Sequence, residues 1–367
     1  GTYGDKAAAN LNTNYSDAWT REDELAFQND LCRYVPNGGE VIIDNVYIYT
    51  PDKKFVKGGI ILKGEQIQAV YEAKDTPKFE EEVFDGNGAY AIPGLIDLHF
   101  HGCKGDDFCD GTKEAIGRIA EYEASIGVTA IAPATMTLPV EELEHILEVA
   151  AEYKKENTDK RRADLLGINM EGPFIAPEKK GAQNGAYIQA PSAETFRACQ
   201  QASGGLIKLV TLAPEMEGSV EFIKELKDEV HISVGHTTAD YDTAKAAFEA
   251  GADHVTHLYN AMPPLNHRAP GVIGAAADNN HVYAELISDG LHIHGSAIRA
   301  AFRMFGPERI VLISDSMMAC GMENGEYELG GQKVFMKDRK ATLADGTIAG
   351  SATCLYRSEE RRVGKEC

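Results

Sequence analysis

The stretch Ala91-Ile92-Pro93-Gly94-Leu95-Ile96-Asp97-Leu98-His99-Phe100-His101 decides how this chain is read. An apolar run ends in two histidines separated by one residue. Side chains of a strand alternate faces, so positions i and i+2 point the same way. His99 and His101 therefore present two imidazoles to one point, where they can grip a metal. Four more ligand-type residues each follow an apolar run of their own: Glu171 after Asp164–Met170, His236 after His231–Gly235, His257 after His254–Thr256, and Asp315 after Arg309–Ser314. Metal-type residues gathered at strand ends suggest a hydrolytic metal site on a parallel β/α barrel, whose chemistry sits at the C-terminal ends of its strands.

The bulk properties agree. The 367 residues suffice for one large barrel and a small second domain, and a hydrophobic content of 43% supports a sizeable core. A net charge of −21 argues against a nucleic-acid partner, yet leaves room for a small anionic substrate met by a local basic spot. Seven cysteines without a CxxC pair fit reduced thiols and a cytoplasmic location better than a disulfide framework. No run is long and apolar enough to span a membrane, so no membrane partner is expected. The N-terminus shows no secretory apolar region and no initiating Met.

Working outward from the His-x-His run, Val41–Tyr49, Gly59–Lys63 and Gln66–Tyr71 read as a small antiparallel sheet with a turn at Lys63-Gly64-Glu65. From Tyr90 onward strands alternate with amphipathic segments. Expected strands are Tyr90–Leu98, Val128–Ala134, Leu165–Met170, Ile207–Leu212, His231–Gly235, His254–Thr256, Tyr283–Ile287 and Arg309–Ser314. Expected helices include Thr112–Ser125, Val140–Lys155, Ser219–Lys227, Tyr241–Ala250 and Ser296–Phe305. The pattern predicts an α/β chain: a (β/α)8 TIM-like barrel with a small β-sandwich domain, C-terminally truncated because no helix follows the eighth strand. A doubly wound open sheet would not readily bring residues from the first, third, fifth, sixth and eighth strands to one point. The expected division is 1–40, a poorly ordered extension; 41–89, a partial sandwich; 90–320, the metal-dependent barrel; 321–356, a β-rich segment; and 357–367, a charged tail of non-native look.

Imidazole and carboxylate ligands suit Zn²⁺ or Fe²⁺, and a carboxylate can bridge two ions. A bound ion lowers the pKa of water to about 7 and polarises a carbonyl. One strand-end histidine ordinarily just bonds backbone; six such residues on five strands favour a metal. A second feature is the loop Thr256–Gly271, where Arg268 and loop amides are suited to clamp an anionic group. Taken alone, Arg268 would read as a solvated loop cation. A third is Ser288–His294, where His292 can meet a substrate hydroxyl or carbonyl, while His294 reads as structural or exposed. His145, His231, His254 and His281 read as non-catalytic. A Gly-x-Ser-x-Gly elbow, a P-loop and a dinucleotide-binding glycine motif are all absent.

Together, His99-Phe100-His101-Gly102, Glu171-Gly172-Pro173-Phe174, Val234-Gly235-His236-Thr237, Thr256-His257-Leu258-Tyr259-Asn260-Ala261-Met262, Asp289-Gly290-Leu291-His292 and Ser314-Asp315 resemble the N-acetylglucosamine-6-phosphate deacetylase family of the amidohydrolase superfamily. The resemblance runs from about Val41 to Tyr356. It implies that Glu171, His236 and His257 hold the main ion and that His99 and His101 help to hold a second. It implies Asp315 as general base and acid, Asn260, the Ala261 backbone and Arg268 on the sugar phosphate, and His292 on the sugar. Gln183 stands where some members carry a histidine that polarises the acetyl carbonyl, and an amide donates a hydrogen bond but no charge. The implied cofactor is a divalent metal, Zn or Fe, one or two ions per chain; the implied partners are a small phosphorylated amino sugar and a second copy of the chain in a homodimer. The implied reaction is metal-dependent hydrolysis of the acetamide of N-acetyl-D-glucosamine 6-phosphate. The alternatives are another amidohydrolase, dihydroorotase-like or an adenine-type deaminase, and an inactive metal-binding remnant.

Overall fold

The structure is a computed structural model and describes residues 10–12, 40–64, 66–78 and 83–356. The expectations for most of 1–40, for Glu65 and for the tail 357–367 lie outside the described residues. Contacts divide the chain into two compact units: 1–96 with 127–129 and 159–163, and the remainder.

The first unit is built on a six-stranded sheet. Its strands are Asn10–Asn12 (β1), Glu40–Tyr49 (β2), Phe55–Lys63 (β3), Gln66–Glu72 (β4), Val83–Asp85 (β5) and Tyr90–Ile92 (β6). The order is β1-β6-β2-β3-β4, with β5 paired to β2. Alternation places Val41, Ile43, Val46, Ile48, Ile60 and Leu62 in one apolar cluster with Ala91. The register of β2 against β3 shifts between Ile43 and Val46, where Asn45 takes φ +55°.

From residue 95 onward strands and helices alternate. Leu95–Asp97 (β7) is followed by a short hairpin, Gly102–Cys103 (β8) and Asp106–Asp107 (β9), then by Val128–Ile131 (β10), Asp164–Leu165 (β11) and Ile168–Glu171 (β12). Next come Ile207–Leu212 (β13), His231–Val234 (β14), His254–Val255 (β15), Tyr283–Ile287 (β16) and Ile310–Ile313 (β17). One sheet has the order β11-β10-β7, and another runs β12 through β17 in sequence order, every neighbouring pair parallel. Further backbone bonds join the strand ends. Ala134 N–H donates to Phe100, Asn169 N–H to Pro133, and Asp315 N–H to His99 at 2.9 Å, so the end of the last strand is tied to the end of the first. After β17, a three-stranded antiparallel sheet forms from Gly325–Leu329, Gln332–Lys337 and Lys340–Thr342.

Two strands expected to be continuous are each divided. Tyr90–Leu98 breaks at Pro93-Gly94 into β6, which pairs in the small sheet, and β7. Proline lacks the N–H a ladder needs, and a Cβ on Gly94 would meet the Thr129 side chain at 2.3 Å. Leu165–Met170 breaks at Gly167, where a Cβ would meet Lys208 at 2.5 Å. Helices form over Lys113–Ser125, Val140–Glu156, Ser219–Leu226, Tyr241–Ala250 and Gly295–Phe305, within a residue or two of expectation. Thr112, Asp240 and His294 cap three of them through side-chain acceptors. Helices over Ala193–Ala202 and Gly271–Asp278 were not anticipated. No helix among the described residues is long and apolar enough to cross a membrane.

Candidate metal centre

The parallel strands bury both faces, and their alternation separates two kinds of side chain. In β12, Ile168 and Met170 alternate with Asn169 and Glu171, and all four are buried. Asp97, Thr211, Ser233, Thr256 and Glu285 are likewise buried polar residues on or just beyond the strands. Thr256 Oγ1 lies 2.9 Å from Thr211 Oγ1 and 2.6 Å from Ser233 Oγ, so hydroxyls satisfy one another there. Above this polar interior the strand ends deliver the ligand-type residues.

Six of these residues meet. His99, His101 and Asp315 offer one trio of ligand atoms, and Glu171, His236 and His257 offer another; within each trio the atoms lie within 4.8 Å of one another. Glu171 faces both. Its Oε1 lies 3.2 Å from Nε2 of His99, His236 and His257, and its Oε2 lies 3.3 Å from His101 Nε2. Asp315 Oδ1 is 3.4 Å from His101 Nε2 and 3.7 Å from His99 Nε2. All six residues are buried. Three of them follow their strands with left-handed backbone: His236 at φ +46°, His257 at +28° and Asp315 at +48°. Such values are uncommon outside glycine and persist where the surroundings impose them, characteristically at functional sites. Gly235, before His236, leaves no room for a Cβ, which would lie 2.5 Å from Thr256 Cβ.

Hydrogen bonds fix the tautomers. His236 Nδ1–H donates to the Lys179 carbonyl at 2.7 Å, and His257 Nδ1–H donates to the Asn260 carbonyl at 3.2 Å. A carbonyl only accepts, so both protons sit on Nδ1, and in neutral rings both Nε2 atoms carry lone pairs. Those two atoms are 3.1 Å apart and both face a carboxylate oxygen. His99 Nδ1–H donates to Glu285 Oε2 at 2.8 Å, which turns its Nε2 lone pair toward Glu171 as well, and that nitrogen has no hydrogen-bond partner. Lone pairs gathered in this way call for a cation. Donor atoms at ~2.0–2.1 Å around a tetrahedral ion lie about 3.3–3.4 Å apart. The separations of 3.1 to 3.4 Å found here fit that geometry.

Without an ion, protons take its place. Burial alone would lower His101, but Asp315 and Glu171 outweigh it and hold the imidazole up at about 10. Burial would lower His99 too, and Glu285 and Glu171 drive it well up. Burial would raise Glu171 and Asp315; the neighbouring imidazoles reverse this and hold both carboxyls below the ordinary range.

The other expected site residues are distributed around this centre. Gln183 is buried; its Nε2 donates to Glu171 Oε2 at 2.7 Å, and its Oε1 accepts from Thr137 N–H at 2.6 Å. The Thr137 bond orients the amide, so the donor side is spent on Glu171. Asn260 Nδ2 reaches the carbonyls of His257 and Leu258, and Ala261, at φ +51°, accepts from Thr237 N–H at 3.0 Å. Arg268 is exposed on the tight turn in which Asn266 and Ala269 exchange backbone bonds, and the fold does not bring it into the metal cluster. His292 is held by Asp289 Oδ2, 2.9 Å from its Nδ1. His294 is exposed and caps Gly295–Phe305. Sequence reasoning missed Glu285, a lone acid in an apolar strand, and Asp289, whose Oδ1 also accepts from the N–H groups of Leu291 and His292. His254, read as facing elsewhere, lies 3.4 Å from Glu285 Oε1.

Comparison with known proteins agrees with this architecture. The model of the Amidohydrolase family matches residues 90–324. The N-acetylglucosamine-6-phosphate deacetylase of Bacillus subtilis (strain 168) is 39% identical over 313 residues, covering 85% of this chain and 79% of that protein. The crystal structure of N-acetylglucosamine-6-phosphate deacetylase from Pasteurella multocida aligns with a TM-score of 0.82 at 30% identity, over 89% of this chain and 84% of that one. A structure of the Mycobacterium smegmatis enzyme in complex with N-acetyl-D-glucosamine-6-phosphate aligns with a TM-score of 0.80 at 29% identity, over 87% and 81%. By its sequence, its amidohydrolase fold and the ligand-type residues at its strand ends, the chain belongs to the amidohydrolase family, in the branch of the N-acetylglucosamine-6-phosphate deacetylases.

Proposed function

We propose that the protein hydrolyses the acetamide of N-acetyl-D-glucosamine 6-phosphate, giving D-glucosamine 6-phosphate and acetate in amino-sugar catabolism. The observation that carries this reading is the meeting of four Nε2 atoms and two carboxylates in a chain of this family. Glu171, His236 and His257 would hold one divalent ion, Zn or Fe, and His99 and His101 would help to hold a second, beside Asp315. A bound ion supplies a Lewis acid for the amide carbonyl and lowers the pKa of water. Asp315 would take a proton from the attacking water at a carboxylate oxygen and return it to the amine nitrogen as the C–N bond breaks. Gln183 steadies Glu171. His292, fixed by Asp289, would meet the sugar, and Asn260, the Ala261 backbone and Arg268 its phosphate.

The fold that goes with this function is a closed (β/α)8 barrel with a small β-sandwich. The bond between Asp315 N–H and the His99 carbonyl supports closure. A cytoplasmic homodimer completes the reading, supported by the family resemblance and the scattered cysteines. The test measures acetate release from N-acetyl-D-glucosamine 6-phosphate by purified protein, beside ring opening of dihydroorotate and ammonia release from adenine. Turnover of the phosphorylated sugar alone is expected; turnover only of a cyclic amide or of adenine would replace this reading with another amidohydrolase activity.

A further inference from the structure

Glu285 lies midway along β16 with no exposed surface. A buried carboxylate is costly unless it is paired and hydrogen-bonded. Its Oε2 accepts from His99 Nδ1–H at 2.8 Å and from the His257 backbone N–H at 3.0 Å. Its Oε1 faces His254 Nε2 at 3.4 Å, and its carbonyl accepts from Leu258 N–H at 2.8 Å. One oxygen therefore grips a member of each trio: His99 by its ring and His257 by its backbone. The second grip falls on a residue at φ +28°, a conformation that needs outside support. The first dictates which ring nitrogen of His99 is free to bind a cation. The rest of β16 is apolar, and its Ala284, Leu286 and Ile287 are buried, so a charge at position 285 has no packing rationale.

We propose that Glu285 is a positioning residue of the metal centre. It holds His99 as the Nδ1–H tautomer with its Nε2 lone pair on Glu171 and Asp315, and it couples the two trios through His257. The proposal rests on the two-ion reading given above. Partners of this kind raise the basicity of a ligand imidazole, and their loss typically costs 10–100-fold in metal affinity. His101 has no such anchor, since its Nδ1 is buried without a hydrogen-bond partner, so His99 is the better-held histidine of its trio.

The test titrates metal-free wild type, Glu285→Gln and Glu285→Leu with Zn²⁺ against a competing chelator, and with Co²⁺ followed by its absorption spectrum. Wild-type stoichiometry judges the two-ion reading by itself: a single site per chain sinks that reading whatever Glu285 does. Glu285 is judged by the ratio of variant to wild-type affinity for whichever ion is held more weakly. The Leu variant should bind it about 10–100-fold more weakly. The Gln variant, which keeps an acceptor oxygen without the charge, should lose less and show a shifted Co²⁺ spectrum. Wild-type affinity in both variants overturns the proposal. So does an equal loss of every ion with a lowered metal-free melt, which would mark a defect of the fold. If the Leu variant does not fold, Gln decides alone: weaker binding with an altered spectrum supports the proposal, and wild-type affinity overturns it.

Discussion

Asp315 and Arg268 occupy opposite environments, and their roles separate accordingly. Asp315 is buried against two imidazoles in left-handed backbone. Asp315→Asn keeps the shape and removes the proton acceptor, so turnover should fall by roughly 10²–10⁴ with little change in KM, the usual worth of a positioned acid–base group. Excess metal should not restore it; rescue would make Asp315 chiefly a ligand. Arg268 is exposed, as a group awaiting an anion can be. Arg268→Ala should raise KM for the phosphorylated sugar by about one to two powers of ten, since a charge-assisted contact contributes ~1.5–3 kcal/mol, and should barely affect plain N-acetylglucosamine. Equal effects on both sugars would remove Arg268 from the phosphate site. The six clustered residues were visible in the sequence because each ends an apolar run. Glu285 was not, because it sits inside such a run, and only the structure shows His99 and His257 waiting for its oxygen.

Strands supply the period that made the site legible, and breaks in that period are where the reading failed. His99 and His101 were placed on one point by alternation alone, and the structure puts their Nε2 atoms on the two oxygens of Glu171. Replacing both with Ala should take metal content from about two ions per chain toward one, following the ligand count. Unchanged stoichiometry, measured by elemental analysis, would show that these histidines are not ligands. Pro93-Gly94 and Gly167 interrupt runs that are mostly apolar, so hydrophobicity joined what backbone chemistry divides. The helix Gly271–Asp278 was missed because Gly-Val-Ile-Gly-Ala-Ala-Ala-Asp carries no polar face, five of its residues being buried. Ala193–Ala202 was missed for the opposite reason, since Phe196 and Cys199 alone are buried in it.

At the scale of the molecule, the metal centre gathers charge that must be balanced, and the balance depends on pH. In metal-free protein His101 is held up at about 10 against an ordinary 6.5. A raised imidazole contributes stability that is complete below about 6.5 and lost as pH rises toward 10. Glu171, Asp315 and Glu285 are lowered, so they contribute above the ordinary carboxylate range, and that contribution is lost in acid. Metal-free protein should therefore melt highest near pH 5–6 and progressively lower toward pH 9–10. Added Zn²⁺ should raise the melt most at the alkaline end, because ligands must shed protons to bind and an ion held only by the native state stabilises it. A metal-free melt that climbs from pH 6 to pH 9 would contradict this assignment of charge. On the proposed mechanism, amide hydrolysis depends on a divalent ion held by Glu171, His236, His257, His99 and His101 beside Asp315. The most direct measurement is acetate release from N-acetyl-D-glucosamine 6-phosphate by protein verified metal-free by elemental analysis, before and after adding Zn²⁺ or Fe²⁺. No turnover is expected before addition, and recovery after it, saturating with the ions bound. Full turnover by the verified metal-free protein would contradict it.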